Sequence, residues 1–264
     1  MAIACILAAG AQAATAPAYR AEIEAWREKR EARLRAPHGW LAVSGLYWLQ
    51  PGPNILPPPY EQAGVFELKD EKVFAHAQAG TVELKDDDDE TDLRFGRYIL
   101  EAHASGSRRA IRVWDTEHPR RKEFPGLLWF PIDEKYRIKA RFIPYKTAKQ
   151  IVVQNLAGDE EKTDIKGYVS FPLSGRDLQL IGWEQGGKLL FVFRDETSGK
   201  STYPTARFLV AEPPKSGEVG LDFNKAYNPP CVFSSYATCP LPPKGNQLPI
   251  AIEAGEKLPP APHP

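Results

Sequence analysis

The sequence predicts an all-β protein: two packed antiparallel β subdomains, sandwich- or barrel-like, with one short helix at the N-terminal end. Three observations carry this expectation. Short runs rich in Val, Ile, Phe, Tyr and Trp recur from Trp40 to Ala254 with strand-like alternation. Turn pairs such as Gly186-Gly187, Ser198-Gly199 and Ser216-Gly217 separate them. No helical windows alternate with these runs, which argues against a doubly wound α/β sheet.

The first stretch, MAIACILAAGAQAATA, is small and apolar and holds an Ala11-Gln12-Ala13 site of the kind cut by signal peptidase. Residues 1–18, with Cys5 among them, are therefore expected to be an export segment, which places the mature chain in the periplasm or outside the cell. Residues 19–38 carry an amphipathic helix, because Tyr19, Ile23, Trp26, Arg30 and Leu34 recur at three- or four-residue spacing and Pro37 enforces a stop. A helix of this length is marginal alone, so Trp26 is expected to dock on the β body.

Residues 39–115 form the first β subdomain, with strands expected at 40–49, 65–68, 72–76, 81–84, 97–100 and 110–114. The stretch 116–133 breaks the strand period and holds three prolines, so it reads as a connector. Its Phe124, Trp129 and Phe130 are too apolar for a free linker. The two halves should pack around it and leave a cleft at the junction. Residues 134–257 form the second subdomain, with strands at 136–143, 150–155, 167–173, 177–183, 188–194, 206–210, 219–223 and 249–254. The proline-rich tail, 258–264, is expected to be disordered.

The 34 basic and 34 acidic side chains cancel, which leaves no electrostatic footprint for nucleic acid. No window beyond the first segment is long and apolar enough to span a bilayer. The partners expected are small polar molecules or glycans. Gly186-Gly187 lacks the rest of a phosphate loop, and no nucleotide motif is present, so no cofactor is expected. The histidines at 38, 76, 103, 118 and 263 are scattered without ligand spacing, and no metal is expected. The acidic run Asp86 to Glu90 lacks the spacing and glycine of a calcium loop and reads as a solvated hairpin tip.

The most specialised stretch is Asp222 to Lys257, with six prolines, three asparagines and three acidic residues. Its prolines fix φ and remove donors, so it must be rigid and irregular. Cys231 and Cys239 are separated by seven residues, with no histidine within twenty on either side. Zinc spacing is absent, and in an exported chain a disulfide is the simplest expectation, worth about 2.5 kcal/mol from loop closure before the prolines are counted.

Two polar sets follow apolar strands and are expected to converge on a ligand pocket beside this segment. One is Asp195, Thr197, Tyr203 and Arg207; the other is Asp222, Asn224, Tyr227 and Asn228. Their plainer role is turn and cap chemistry. Glu253 and Glu256 with Asp222 supply candidates for a catalytic acid pair, a surface salt-bridge cluster being the plainer account. The leading expectation is an envelope protein that binds a small polar ligand or glycan. Its rival is a cofactor-independent hydrolase using those carboxylates, with Tyr203 and Arg207 orienting the substrate. The third alternative makes the segment a structural plug.

The motifs GWLAVSGLYWLQPGPN (39–54), IRVWD (111–115), FPGLLWFPID (124–133), FVFRDETSGKSTYPTARFL (191–209) and the 222–257 segment resemble the uncharacterised bacterial and archaeal family labelled domain of unknown function 1684. The likeness runs from about Trp40 to Lys257 and implies no activity. PGPNILPPPY, after Leu49, lacks the Arg, Ser and His that forkhead-associated sandwiches use to read phosphothreonine, so phosphopeptide recognition is not implied.

Overall fold

The computed structural model describes residues 16–87 and 90–259. The export segment to residue 15, Cys5, His263 and the tail from 260 lie outside them. Helix α1, Pro17–Arg35, carries Pro17 in its first turn, where a missing N–H costs nothing. It buries Tyr19, Ile23, Arg30 and Leu34 along one stripe and ends before Pro37. Trp26 docks as expected: its ring meets Trp129 edge-on at 5.8 Å and lies 6.4 Å from Tyr227.

The first β unit comprises β1 (Val43–Trp48), β2 (Gly52–Ile55), β3 (Val65–Lys69), β4 (Lys72–Ala77), β5 (Gly80–Leu84), β6 (Leu93–Phe95), β7 (Tyr98–Ser105) and β8 (Arg108–Asp115). They form two antiparallel sheets, β2-β3-β4-β5 and β1-β8-β7-β6. Phe66, Val73, Ala75 and Leu84 of one sheet pack with Leu100, Ala102, Ile111 and Val113 of the other, which closes a sandwich core. The run from Trp40 is not one strand, because Trp40–Ala42 makes a 3-10 turn first.

The connector contains a one-turn helix, α2 (Arg120–Glu123), and then lies against the C-terminal segment. Phe130 N donates to Gly255 O at 3.0 Å and Lys257 N to Leu128 O at 2.8 Å. Leu127, Phe130 and Ile132 are buried, so its apolar residues pack as the composition demands.

The second unit contains β9 (Arg137–Gln154), β10 (Glu160–Leu173), β11 (Arg176–Ile181), β12 (Trp183–Gln185), β13 (Lys188–Phe193), β14 (Arg207–Ala211) and β15 (Glu218–Asp222). Its sheets are β11-β10-β9-β15 and β12-β13-β14, again antiparallel. Val169, Phe171, Leu180, Phe191, Phe193, Leu209 and Leu221 share its core. Gly186 and Gly187, at φ 56° and 73°, make the tight turn of the β12–β13 hairpin, where both central residues need positive φ.

Two further expectations need correction, and two strands were not expected. Residues 136–143 and 150–155 belong to one 18-residue strand, because the polar start of β10 pairs with the far end of β9, Glu160 opposite Gln154 through Ile165 opposite Lys149. Pairing, not burial, makes that stretch a strand. Pro249 to Ala254 is not a strand: Glu196 N takes the Ile250 carbonyl and Arg207 takes those of Ile252 and Ala254, so a buried guanidinium stands where a neighbouring strand would. β2 and β6 escape sequence patterning, one containing Gly52 and Pro53 and the other only three residues long.

The two sandwiches are tied at the β9–β10 turn. Arg108 grips Asp159 with both arms, at 2.7 and 2.6 Å, while Ser105 donates to Asp159 and accepts from Asn155.

Candidate functional site

The structure does not bring the expected ligand residues to a common pocket. Asp195, Thr197 and Arg207 form a sealed network: the Arg207–Asp195 pair is 2.7 Å apart with both side chains fully buried, and Asp195 accepts from the Thr197 amide and hydroxyl. Arg207 also donates to the Ile252 and Ala254 carbonyls. Burial lowers the guanidinium's pKa, and Asp195 opposes that shift. The two Arg207 bonds to these carbonyls brace the C-terminal segment on β14, which is what a backbone without strand partners requires.

The other set divides in two. Asp222 caps the turn after β15 through the Asn224 amide and accepts from Tyr19, while Asn224 bridges the main chain of Asp133 and the Tyr19 hydroxyl. Asn228 donates to Glu256 and to the Lys257 carbonyl, and Arg30 bonds Glu256 at 3.4 Å and Asn228 O at 2.9 Å. Burial pushes the Glu256 carboxyl above its ordinary pKa, against the pull of Arg30. Glu253 points to solvent. Asp222, Glu253 and Glu256 thus have three separate environments and make no acid pair. Nor is Glu256 part of a surface cluster, since it is completely buried. Tyr227 and Asp222 line one cleft along α1, of about 750 Å³, and Tyr203 lines another beside Cys231.

Cys231 and Cys239 are neighbours as expected, the Cys231 amide lying 3.2 Å from Cys239 Sγ, but they stand as separate thiols. A bond from Cys239 holds the Cys231 thiol below its usual pKa despite burial, with help from Tyr203, whereas burial drives Cys239 well up. Iodoacetamide near neutral pH is therefore expected to alkylate Cys231 first, because the thiolate is the nucleophile. Peptide mapping that finds equal rates at the two cysteines contradicts this.

The largest of the clefts described here opens at the junction of the two sandwiches, with a volume of about 780 Å³. Its walls come from both: Trp40, Asp87, His103, Ser105 and Arg112 on one side, Asn155, Trp183, Phe208, Thr238 and Cys239 on the other. The proline-rich segment supplies one wall through 237–240, as expected, with different residues from those the sequence suggested. Glu101, His103 and Ser105 alternate along β7 and so share one face, and Arg112 stands opposite Glu101 on β8. That spacing was the signal available in the sequence.

Within the cleft Asp87 Oδ1 lies 2.8 Å from His103 Nδ1, and His103 Nε2 lies 2.9 Å from Thr238 Oγ1. Arg112 is buried, reaches Asp87 at 3.2 Å and stacks 5.1 Å from the Trp40 ring centroid. Burial raises the Asp87 pKa, but the bond from His103 and the charges of His103 and Arg112 outweigh it and hold the carboxyl low. The acidic run is therefore more than a solvated tip: Asp87 enters this network, and Asp86 pairs with Arg109 at 2.9 Å. Next to it His38, Asp92 and Glu101 bring ligand atoms within 4.8 Å of one another. Glu101 there already accepts from Trp114 at 2.8 Å and faces Arg112 at 3.6 Å, which makes the trio an ion-pair cluster before it is a metal site.

The model of the family described as "Protein of unknown function (DUF1684)" matches residues 122–257, just over half of the chain. Among solved structures, an uncharacterized protein of Haloarcula marismortui, determined by solution NMR, is 33% identical over 52% of this chain and 78% of its own, with a TM-score of 0.44. No curated protein matches the chain.

Proposed function

The chain belongs to the DUF1684 family, and we propose that it binds a small polar molecule or glycan in the cleft between its two sandwiches. One observation carries this reading: Trp40, Trp183 and Phe208 line the same cavity as neutral polar Ser105, Asn155, Thr163 and Thr238. Aromatic faces with a few convergent polar groups suit a small ligand, and the volume lies within the roughly 300–1,000 Å³ common for such sites. Charges on the lining nearly offset, Arg112, Lys162 and Lys166 against Asp87, Glu161, Asp164 and Glu184, which favours a ligand of little net charge. The export expected of residues 1–18 would put that ligand outside the cytoplasm.

The test is a thermal-shift panel of saccharides and small polar metabolites, followed by calorimetry. A ligand at about 100 times its Kd should add roughly 2.7 kcal/mol of stability. Thr163 sits half-exposed on the β10 wall, so Thr163→Trp should fill the cleft and remove the shift. The unliganded variant should stay within about 0.5 kcal/mol of the wild type, as surface changes usually do. A panel without a hit, or a hit that survives Thr163→Trp, overturns the proposal.

A further inference from the structure

The cleft holds a hydrogen-bonded chain whose order matters chemically. With the Asp87 carboxylate at Nδ1, the His103 imidazole carries its proton there, and its Nε2 lone pair faces the Thr238 hydroxyl. Carboxylate, imidazole and hydroxyl in that sequence are what a weak oxygen nucleophile needs for activation. All three residues line the cleft, and Thr238 is only half-buried on its wall. A fourth group faces the same cavity: Arg112 lines it, and its buried Nε has no hydrogen-bond partner. A cationic group that keeps one buried donor unspent, in the cavity of a nucleophile, suits an oxyanion that exists only during reaction.

We propose that the cleft hydrolyses small carboxylic esters, with Thr238 as nucleophile, His103 as general base and acid, and Asp87 as the positioning residue that fixes the imidazole. This rests on the reading of the cleft as a small-molecule site and adds a reaction to it. Thr238 Oγ1 attacks the acyl carbon while its proton passes to His103 Nε2. The tetrahedral oxyanion is held by Arg112. It collapses as the ester C–O bond breaks, the leaving alkoxide takes the proton from Nε2, and an acyl ester remains on Thr238. Water, giving its proton to His103, then attacks that ester, and the acid leaves as Thr238 recovers its proton. One ester and one water become one acid and one alcohol. The slight acidic excess of the lining and the aromatic walls favour an uncharged acyl or sugar moiety over a phosphate ester.

The experiment uses the full chain with a fluorophosphonate probe and with p-nitrophenyl acetate. The probe should modify Thr238, located by peptide mapping, and His103→Gln should slow labelling and turnover by about a hundredfold or more. Thr238→Val should abolish both, while Thr238→Ser should retain them, which separates loss of the nucleophile from loss of the fold. Asp87→Asn should lower kcat with KM unchanged, a split that a merely structural residue would not produce. Absence of label on Thr238, or acetate turnover that persists in Thr238→Val, overturns the proposal. If a panel ligand still binds in a Thr163→Trp-sensitive way while Thr238 stays unlabelled, the esterase falls and the binding site stands. If neither occurs, both fall.

Discussion

Replacing Arg207 by Met is expected to cost about 3–5 kcal/mol and to lower the melting temperature by roughly 10 °C or more, because it strands the buried Asp195 charge without its partner. Asp195 and Arg207 are fully buried as side chains, so no water can take over the lost bonds. The Ile252 and Ala254 carbonyls lose their donor at the same time. Differential scanning calorimetry measures this directly. The ligand-binding role expected of Arg207 from the sequence would instead give lost binding at nearly unchanged stability, and its complete burial argues against that role. Adding Asp195→Leu should recover part of the loss, since an apolar pair of similar volume is often neutral or better. A single variant that melts within about 2 °C of the wild type contradicts the structural assignment of this pair.

Glu256→Ala is expected to be the second large loss, about 3 kcal/mol, since it leaves Arg30 and Asn228 facing a void with unmet polar groups. Glu256→Gln keeps the shape and should cost less. The two differ from the wild type in pH dependence. Burial raises the folded pKa of Glu256 above its ordinary 4.5, so its contribution is complete below that value and is lost as pH rises through the folded pKa. The stability difference between wild type and Glu256→Gln, followed by urea titration upward from about pH 4, should therefore shift in favour of the variant as pH rises. Asp87 and Asp159, held low in the fold, act in the opposite direction but are common to both proteins and cancel. A pH-independent difference contradicts the raised pKa.

The strands and helix were legible where local pattern decides them. Tyr19, Ile23, Arg30 and Leu34 announce α1 by spacing alone, and the Gly186-Gly187 turn announces its hairpin. Pattern fails where long-range pairing decides. The polar end of β10 is a strand only because β9 lies beside it, and Ile250 to Ala254 is not one because Arg207 occupies its carbonyls. The candidate site shows the same division. Density of polar side chains in 195–207 and 222–228 drew attention correctly to residues that matter, but such density serves a buried brace as well as a ligand. The groups that do share a cavity, Asp87, His103, Arg112 and Thr238, come from two sandwiches. His103 and Thr238 are 135 residues apart, and no spacing rule reaches that far.

The seat of α1 has a consequence for the order in which the chain is made. Tyr19 bonds Asp222 across 203 residues, and Arg30 meets Glu256 across 226. On the ribosome the helix emerges more than 200 residues ahead of these partners. The first sandwich, 43–115, contains its own core and can condense during synthesis, as leading domains do. The helix, marginal on its own, can meet the connector through Trp129 and Phe130 earlier, but its full seat waits for the proline-rich segment. Loop closure across that span costs only slightly more free energy than a short loop, yet contacts so distant in sequence slow the search. Docking of the helix is thus completed only after translation has delivered Asp222 and Glu256.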